Sequence, residues 1–166
     1  MKQYKRVLTI AGSDSGGGAG VQADIKTISA CGCYAASALT AITVQNTLGV
    51  SAVHAVPVEI LEGQIDAVLS DIGADAVKIG MLHSSEVVHC VRKMLDKFDA
   101  KNVVLDPVMV STSGPRLIEE EAIASLLSDL LPRARVITPN IPEEEFLLAG
   151  AKLSVQKALP DYAKRL

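Results

Sequence analysis

The chain has 166 residues, of which 49% are hydrophobic, and its formal net charge is −3. That size and apolar content are typical of one domain with a buried core, so we predict a single domain over residues 1–166. The lysines and arginines are scattered, and the apolar stretches fall short of the roughly 18 residues that cross a bilayer, which excludes nucleic acid and membrane as partners.

Short apolar segments alternate with amphipathic segments along the whole chain. This alternation is typical of an α/β fold in which helices cover both faces of a mostly parallel sheet. Strands are predicted, in chain order, at residues 7–11, 38–44, 50–56, 76–80, 103–105 and 135–138. Helices are predicted at residues 19–30, 57–70, 84–98, 119–131, 142–149 and 154–166. The second and third strands are close enough in sequence to form a hairpin.

A glycine-rich loop, residues 12–24, leaves the first strand and leads into the first helix. Glycine lets backbone N–H groups approach a small ligand, and a helix that begins there adds unpaired donors, so the loop predicts a binding site. A phosphate-cradling P-loop is excluded because Gly18 stands where the lysine is needed. A dinucleotide cofactor is not expected either, because no acidic residue lies between Asp24 and Glu59 to hold a ribose.

Polar residues follow the predicted strands at the edge where ligands gather in parallel sheets. Asp106 ends one strand, and Asn140 and Glu143 open the last short helix. Their oxygens are of the kind that Mg²⁺ prefers, and Mg²⁺ usually takes one or two protein carboxylates together with substrate phosphates. The alternative is that Asp106 caps a turn before Pro107 and Asn140 caps a helix.

Gln45 follows the second predicted strand. Its planar amide can pair side by side with the ring nitrogen and exocyclic amine of an aminopyrimidine, as amides pair with adenine. The alternative is a polar hairpin tip that faces water.

Five segments, in this order, resemble the hydroxymethylpyrimidine/phosphomethylpyrimidine kinases of thiamine biosynthesis, members of the ribokinase-like superfamily. They are AGSDSGGGAGVQAD (11–24), TVQNTLGV (43–50), KIGML (78–82), VVLDPVM with the following STSG (103–114) and ITPNIPEE (137–144). The resemblance implies a three-layer, ribokinase-like α/β/α fold. It also implies phosphorylation of 4-amino-5-hydroxymethyl-2-methylpyrimidine, and then of its monophosphate, by ATP with Mg²⁺ in a cytoplasmic homodimer.

The resemblance also implies roles for individual residues. Those that match the family's substrate-binding positions are Gly12, Ala19, Asp24, Thr43, Gln45 and Met81. Those that match positions near the ATP phosphates are Asp106, Asn140 and Glu143, with Asp106 and Glu143 near the metal.

Family members continue beyond the position of Leu166 with a strand that bears a nucleotide-contacting lysine and with a G-T-G-C-like loop. That loop supplies the anion hole and the catalytic base, so we expect no catalytic residue in this chain. Because phosphoryl transfer depends on positioning and charge stabilisation, we expect the chain to be the amino-terminal part of a kinase with negligible turnover by itself. The alternatives are a pyridoxal kinase and a non-catalytic pyrimidine-binding module.

Overall fold

The structure, a computed structural model, describes residues 3–109 and 118–150. Its centre is a parallel sheet with the strand order β2-β1-β5-β6-β7, beside which β3 and β4 form a separate antiparallel hairpin. The strands are β1 (Arg6–Ala11), β2 (Tyr34–Leu39), β3 (Ala41–Asn46), β4 (Gly49–Ala55), β5 (Ala76–Ile79), β6 (Val103–Leu105) and β7 (Val136–Ile137). The predicted α/β class with a mostly parallel sheet is therefore confirmed.

Helices connect the strands of the sheet, as parallel neighbours require. They are α1 (Gly20–Ala30), α2 (Val58–Ala67), α3 (Ser85–Lys97), α4 (Glu120–Ser125) and α5 (Ile141–Gly150). Wider π-type turns continue α2 through Val68–Ile72 and α4 through Leu126–Leu130. None of the helices in the described ranges is long and apolar enough to cross a membrane.

One face of the sheet carries the hydrophobic core. Leu8 and Ile10 of β1 are fully buried in one apolar cluster with residues of α2, α3 and α4. The intervening residue, Thr9, points to the opposite face, because side chains alternate along a strand. There its hydroxyl donates a 2.6 Å hydrogen bond to Asp24 of α1. The two faces therefore differ in character: one is an apolar core, and the other presents polar groups beneath α1.

The predicted strand over residues 38–44 is wrong, because the chain leaves the central sheet at Thr40. The Thr40 N–H donates to Ala11 O of β1, and the Thr40 carbonyl accepts from Val56 N beyond the hairpin. The predicted segment therefore joins the end of β2 to the start of β3. Both pieces are apolar, so the hydrophobic pattern does not reveal the break.

Most other predicted boundaries lie within about two residues of the observed ones. The hairpin of β3 and β4 is confirmed, with a register shift between Val44 and Gln45. Ser84 caps α3, since its hydroxyl accepts a hydrogen bond from Val87 N. The predicted helix over residues 154–166 and the STSG segment at residues 111–114 lie outside the described residues.

Candidate active site

A cavity of about 370 Å³ opens at the carboxyl ends of the parallel strands, between the glycine-rich loop and the hairpin. Its lining combines backbone of the loop with side chains from the ends of β1, β3, β5 and β6 and from the start of α5. The nine residues predicted as a site all line it: Gly12, Ala19, Asp24, Thr43, Gln45, Met81, Asp106, Asn140 and Glu143. The fold thus brings together residues that are up to 131 positions apart in the chain.

The glycine-rich loop is organised around Asp14, a residue that the sequence did not single out. Its carboxylate is buried and accepts hydrogen bonds from the backbone N–H groups of Gly16, Gly18 and Ala19, at 2.8 to 2.9 Å. The expectation that these amides serve a ligand directly is therefore wrong, because the protein's own carboxylate takes them. The loop is a preformed wall of the cavity, and not an open anion cradle.

These contacts also set the acidity of Asp14. Burial by itself would raise the pKa of Asp14, but the N–H donors of Gly16, Ala19, Gly18 and Gly17 outweigh burial and hold the pKa below its ordinary value of 3.8. A carboxyl group whose pKa is lowered on folding stabilises the protein above its unfolded-state pKa. That contribution is lost as the pH falls through the folded-state pKa.

We expect Asp14→Asn to lower the free energy of unfolding by about 1–3 kcal/mol at neutral pH, because an amide NH₂ would face N–H donors. Urea unfolding from pH 6 down to pH 3 would measure it. The gap between wild type and variant should close below the ordinary pKa of 3.8. Asp99→Asn, at an exposed position with φ 49°, is the matched control and should change stability by less than about 0.5 kcal/mol. A constant gap across this pH range would contradict the assignment.

A three-residue ion network lies on the cavity floor. Lys78 Nζ is 3.1 Å from Asp24 Oδ2 and 3.5 Å from Asp106 Oδ2. The parallel register places Thr9 and Lys78 side by side on β1 and β5, so both reach Asp24 above them on α1. Lys78 therefore links the carboxylate of Asp24 on α1 to the carboxylate of Asp106, which follows β6.

Lys78 lies in the KIGML segment, but no role for it was predicted from the sequence. A signal was present, because Lys78 is the one charged residue in the short apolar run Ala76–Gly80, all of it within the described chain. A lysine in a strand flanked by buried neighbours needs a partner, since a buried cation without one is costly. The identity of the partners, from α1 and from the end of β6, could not be deduced from spacing.

The hairpin holds Gln45 against the glycine-rich loop. Gln45 N donates to Ser15 Oγ at 2.8 Å, and Ser15 Oγ lies 2.6 Å from Gln45 O, to which it donates. The Gln45 side chain is half-buried and lines the cavity. The residue that faces water at the hairpin turn is Leu48, which is 89% exposed, so the alternative of a polar hairpin tip does not describe the half-buried Gln45.

Asn140 and Glu143 hold each other at the start of α5. Glu143 N donates to Asn140 Oδ1 at 2.9 Å, and Asn140 N donates to Glu143 Oε2 at 3.0 Å. This reciprocal arrangement is a capping box. Asn140 therefore caps α5, which is the alternative role that the sequence offered for it. Glu143 Oε1 also accepts from Met109 N at 3.2 Å, which ties the chain after β6 to the start of α5.

Two glycines keep the floor of the cavity close to the loop. A Cβ atom at Gly12 would lie 2.6 Å from Met81 Cε, so the lack of a side chain there leaves room for the methionine wall. A Cβ atom at Gly20 would lie 2.4 Å from Gly12 O, and Gly20 has φ +56°. The close approach of α1 to β1 therefore requires glycine at position 20.

The sequence matches the family model of phosphomethylpyrimidine kinase over residues 14–166. It is 47% identical over 161 residues to the hydroxymethylpyrimidine/phosphomethylpyrimidine kinase of Haemophilus influenzae, covering 95% of this chain and 60% of that protein. The chain thus spans about three fifths of that curated relative's length.

Solved structures give the same relationship. The phosphomethylpyrimidine kinase of Clostridium difficile 630 is similar with a TM-score of 0.80 and 52% identity, covering 85% of this chain and 61% of that one. The pyridoxal kinase of Staphylococcus aureus in complex with AMP-PCP follows with a TM-score of 0.75 and 38% identity, covering 86% and 51%. The sheet order, the cavity and these matches lead to one conclusion: the chain belongs to the phosphomethylpyrimidine kinase family.

Proposed function

We propose that this chain forms the pyrimidine-binding part of a kinase that phosphorylates 4-amino-5-hydroxymethyl-2-methylpyrimidine, and then its monophosphate, for thiamine diphosphate biosynthesis. One observation carries the proposal: a single cavity is lined by Gln45, Asp24 and Asp106, and Lys78 lies within 3.5 Å of both carboxylates. Residues 1–166 would be the amino-terminal part of one ribokinase-like domain.

The hydrogen-bonding groups of the cavity suit an aminopyrimidine that carries a hydroxymethyl group. The Gln45 amide offers an acceptor and a donor side by side, and Met81 with Ala19 supplies apolar walls for a flat ring. Asp24 is held by Thr9 and Lys78, so its carboxylate is oriented before a ligand arrives. We assign Asp24 to the hydroxymethyl oxygen, the atom that gains the phosphoryl group and loses a proton.

The cavity residues that follow β6 and open α5 suit phosphate and Mg²⁺. The side chain of Asp106 is 32% exposed at the cavity. Glu143 already accepts backbone N–H groups on both oxygens, so we assign it to Mg²⁺ through water. An Mg²⁺ ion held there would have few protein ligands and would complete its coordination with water and phosphates, as is usual for Mg²⁺. Such an ion would neutralise charge on the transferring phosphoryl group.

The donor of the phosphoryl group would be ATP. The support for this is that the Staphylococcus aureus neighbour was solved in complex with AMP-PCP. In the transfer, the hydroxymethyl oxygen forms a bond to the γ-phosphorus while the bond to the β,γ-bridging oxygen breaks, leaving ADP, and the hydroxyl proton passes to the base that the resemblance assigns to the G-T-G-C-like loop. Lys78 lies between the two sets of residues, where negative charge would accumulate.

We also propose a homodimer in the cytoplasm. The outer face of the hairpin exposes Ile42 and Val44, which are 52% and 59% exposed, and Leu48 extends the same apolar region at the turn. Exposed apolar patches of this kind are typical of association surfaces. Sedimentation velocity of the wild type beside Val44→Glu would test it, and a monomeric wild type would contradict it.

A second candidate, pyridoxal kinase, is favoured by the 38% identity to the Staphylococcus aureus enzyme. Steady-state ADP formation by the complete natural protein with each substrate separates the two. We expect the higher kcat/KM with the hydroxymethylpyrimidine. A higher kcat/KM with pyridoxal would overturn the proposal, and tight pyrimidine binding without ADP formation would identify a non-catalytic module.

A further inference from the structure

The hydroxyl group of Thr43 lies between two oxygen atoms. Thr43 Oγ1 is 2.8 Å from Ser13 O and 3.3 Å from Gln45 Oε1, and the side chain of Thr43 is buried. The backbone of Thr43 is fixed as well, because its N–H donates to Ser13 Oγ at 3.1 Å. The position of the hydroxyl is therefore set by the loop.

A hydroxyl group carries one hydrogen, so Thr43 can donate to only one of these two oxygens. Ser13 O is a carbonyl that can only accept, and it is the nearer partner at 2.8 Å. If it takes the hydrogen, the 3.3 Å contact with Gln45 pairs two acceptors. A half-turn of the amide removes this mismatch, because Gln45 Nε2 then donates to Thr43 Oγ1.

The backbone of Gln45 is held in place, so the half-turn concerns the side-chain amide. Its backbone N–H and carbonyl are both bonded to Ser15 Oγ, and a register shift between Val44 and Gln45 fixes where the strand bends. Bulges of this type re-aim a side chain at a site. What remains to be set is which end of the amide lies next to Thr43.

We propose that Thr43 is a specificity-determining positioning residue that fixes the polarity of the Gln45 amide. The proposal rests on the function proposed above and deepens it. With one Nε2 hydrogen on Thr43, Gln45 offers its Oε1 as an acceptor and its second Nε2 hydrogen as a donor. That edge fits a ring with an amine beside a ring nitrogen acceptor. It rejects the 4-oxo analogue, in which a carbonyl replaces the amine and a ring N–H replaces the ring acceptor. The carbonyl would then face Gln45 Oε1, pairing two acceptors, and the ring N–H would face the Nε2 hydrogen, pairing two donors.

Titration calorimetry with 4-amino-5-hydroxymethyl-2-methylpyrimidine and its 4-oxo analogue tests the proposal on wild type, Thr43→Val and Thr43→Ser. Wild type and Thr43→Ser should prefer the amine by about tenfold or more, the scale of a matched bidentate pair. In Thr43→Val the amide is no longer fixed, so the ratio should fall to within about threefold. A purely structural loss would weaken both ligands equally and leave the ratio unchanged.

A Thr43→Val protein that folds and keeps the wild-type ratio overturns the proposal and leaves the proposed function standing. Wild type that binds neither ring overturns both. A second measurement does not depend on the variant: without ligand, wild type should show a nuclear Overhauser effect between a Gln45 side-chain amide proton and the Thr43 side chain. Its absence also overturns the proposal.

Discussion

Replacing Gly20 with alanine should lower the free energy of unfolding by about 2–5 kcal/mol. Gly20 has φ +56°, a left-handed conformation that costs about 1–2 kcal/mol in a residue with a Cβ atom. The added atom would also lie 2.4 Å from Gly12 O and 3.1 Å from Asp14 N, which are backbone atoms that cannot swing aside. Overpacking of this kind typically costs a further 1–3 kcal/mol, roughly. Urea unfolding followed by circular dichroism measures the loss.

Gly63→Ala is the matched control for Gly20→Ala. Gly63 lies in α2, and a Cβ atom there would meet nothing within 4 Å. Alanine is a better helix former than glycine, so this variant should gain about 0.5–1 kcal/mol. Equal effects of the two substitutions would contradict the close packing of α1 against the loop.

Lys78→Met should lower the free energy of unfolding by about 1–3 kcal/mol at neutral pH and weaken binding of the hydroxymethylpyrimidine by about tenfold or more. The substitution leaves Asp24 and Asp106 facing the cavity without the cation that lies within 3.5 Å of both. The two carboxylates would repel each other without a cation beside them, and Asp24 would lose one of the two groups that orient it. Urea unfolding and calorimetric titration give the two quantities.

Lys93→Met is the control for Lys78→Met, since Lys93 makes an exposed ion pair with Glu62 on the surface. Such pairs contribute less than about 1 kcal/mol to the free energy of unfolding. Because this pair is on the surface, binding of the hydroxymethylpyrimidine should not change. Loss of binding in Lys93→Met, or unchanged binding in Lys78→Met, would contradict the role of the ion network.

The convergence of the site was predictable because it depends on general geometry. Apolar segments that alternate with helices specify a parallel sheet, and the carboxyl ends of its strands meet at one edge. Residues that follow strands of this sheet, such as Gly12 and Asp106, could therefore be placed near each other without knowing any contact. Gln45 also lines the cavity, but it does so from β3 of the hairpin and does not follow a strand of the parallel sheet. The roles given to them still depend on the resemblance and stay predictions.

The contacts within the site could not be read in the same way. The loop suggested free amides, yet Asp14 takes them. Gly16 follows Asp14 by two residues, which is the spacing of an Asx turn, and this spacing was a local signal that Asp14 bonds the loop's own backbone. Lys78 needed tertiary partners from α1 and β6, which no local pattern encodes. Nor does any local pattern show the break at Thr40, because apolar residues continue on both sides of it.

The central claim is that the Gln45 amide holds a flat aminopyrimidine in the cavity at the carboxyl ends of the strands. Calorimetric titration of wild type and Gln45→Ala with 4-amino-5-hydroxymethyl-2-methylpyrimidine tests it most directly. We predict saturable binding by wild type and about tenfold or greater weakening in the variant, the scale of a lost pair of hydrogen bonds. Equal affinity of the two proteins would contradict the claim.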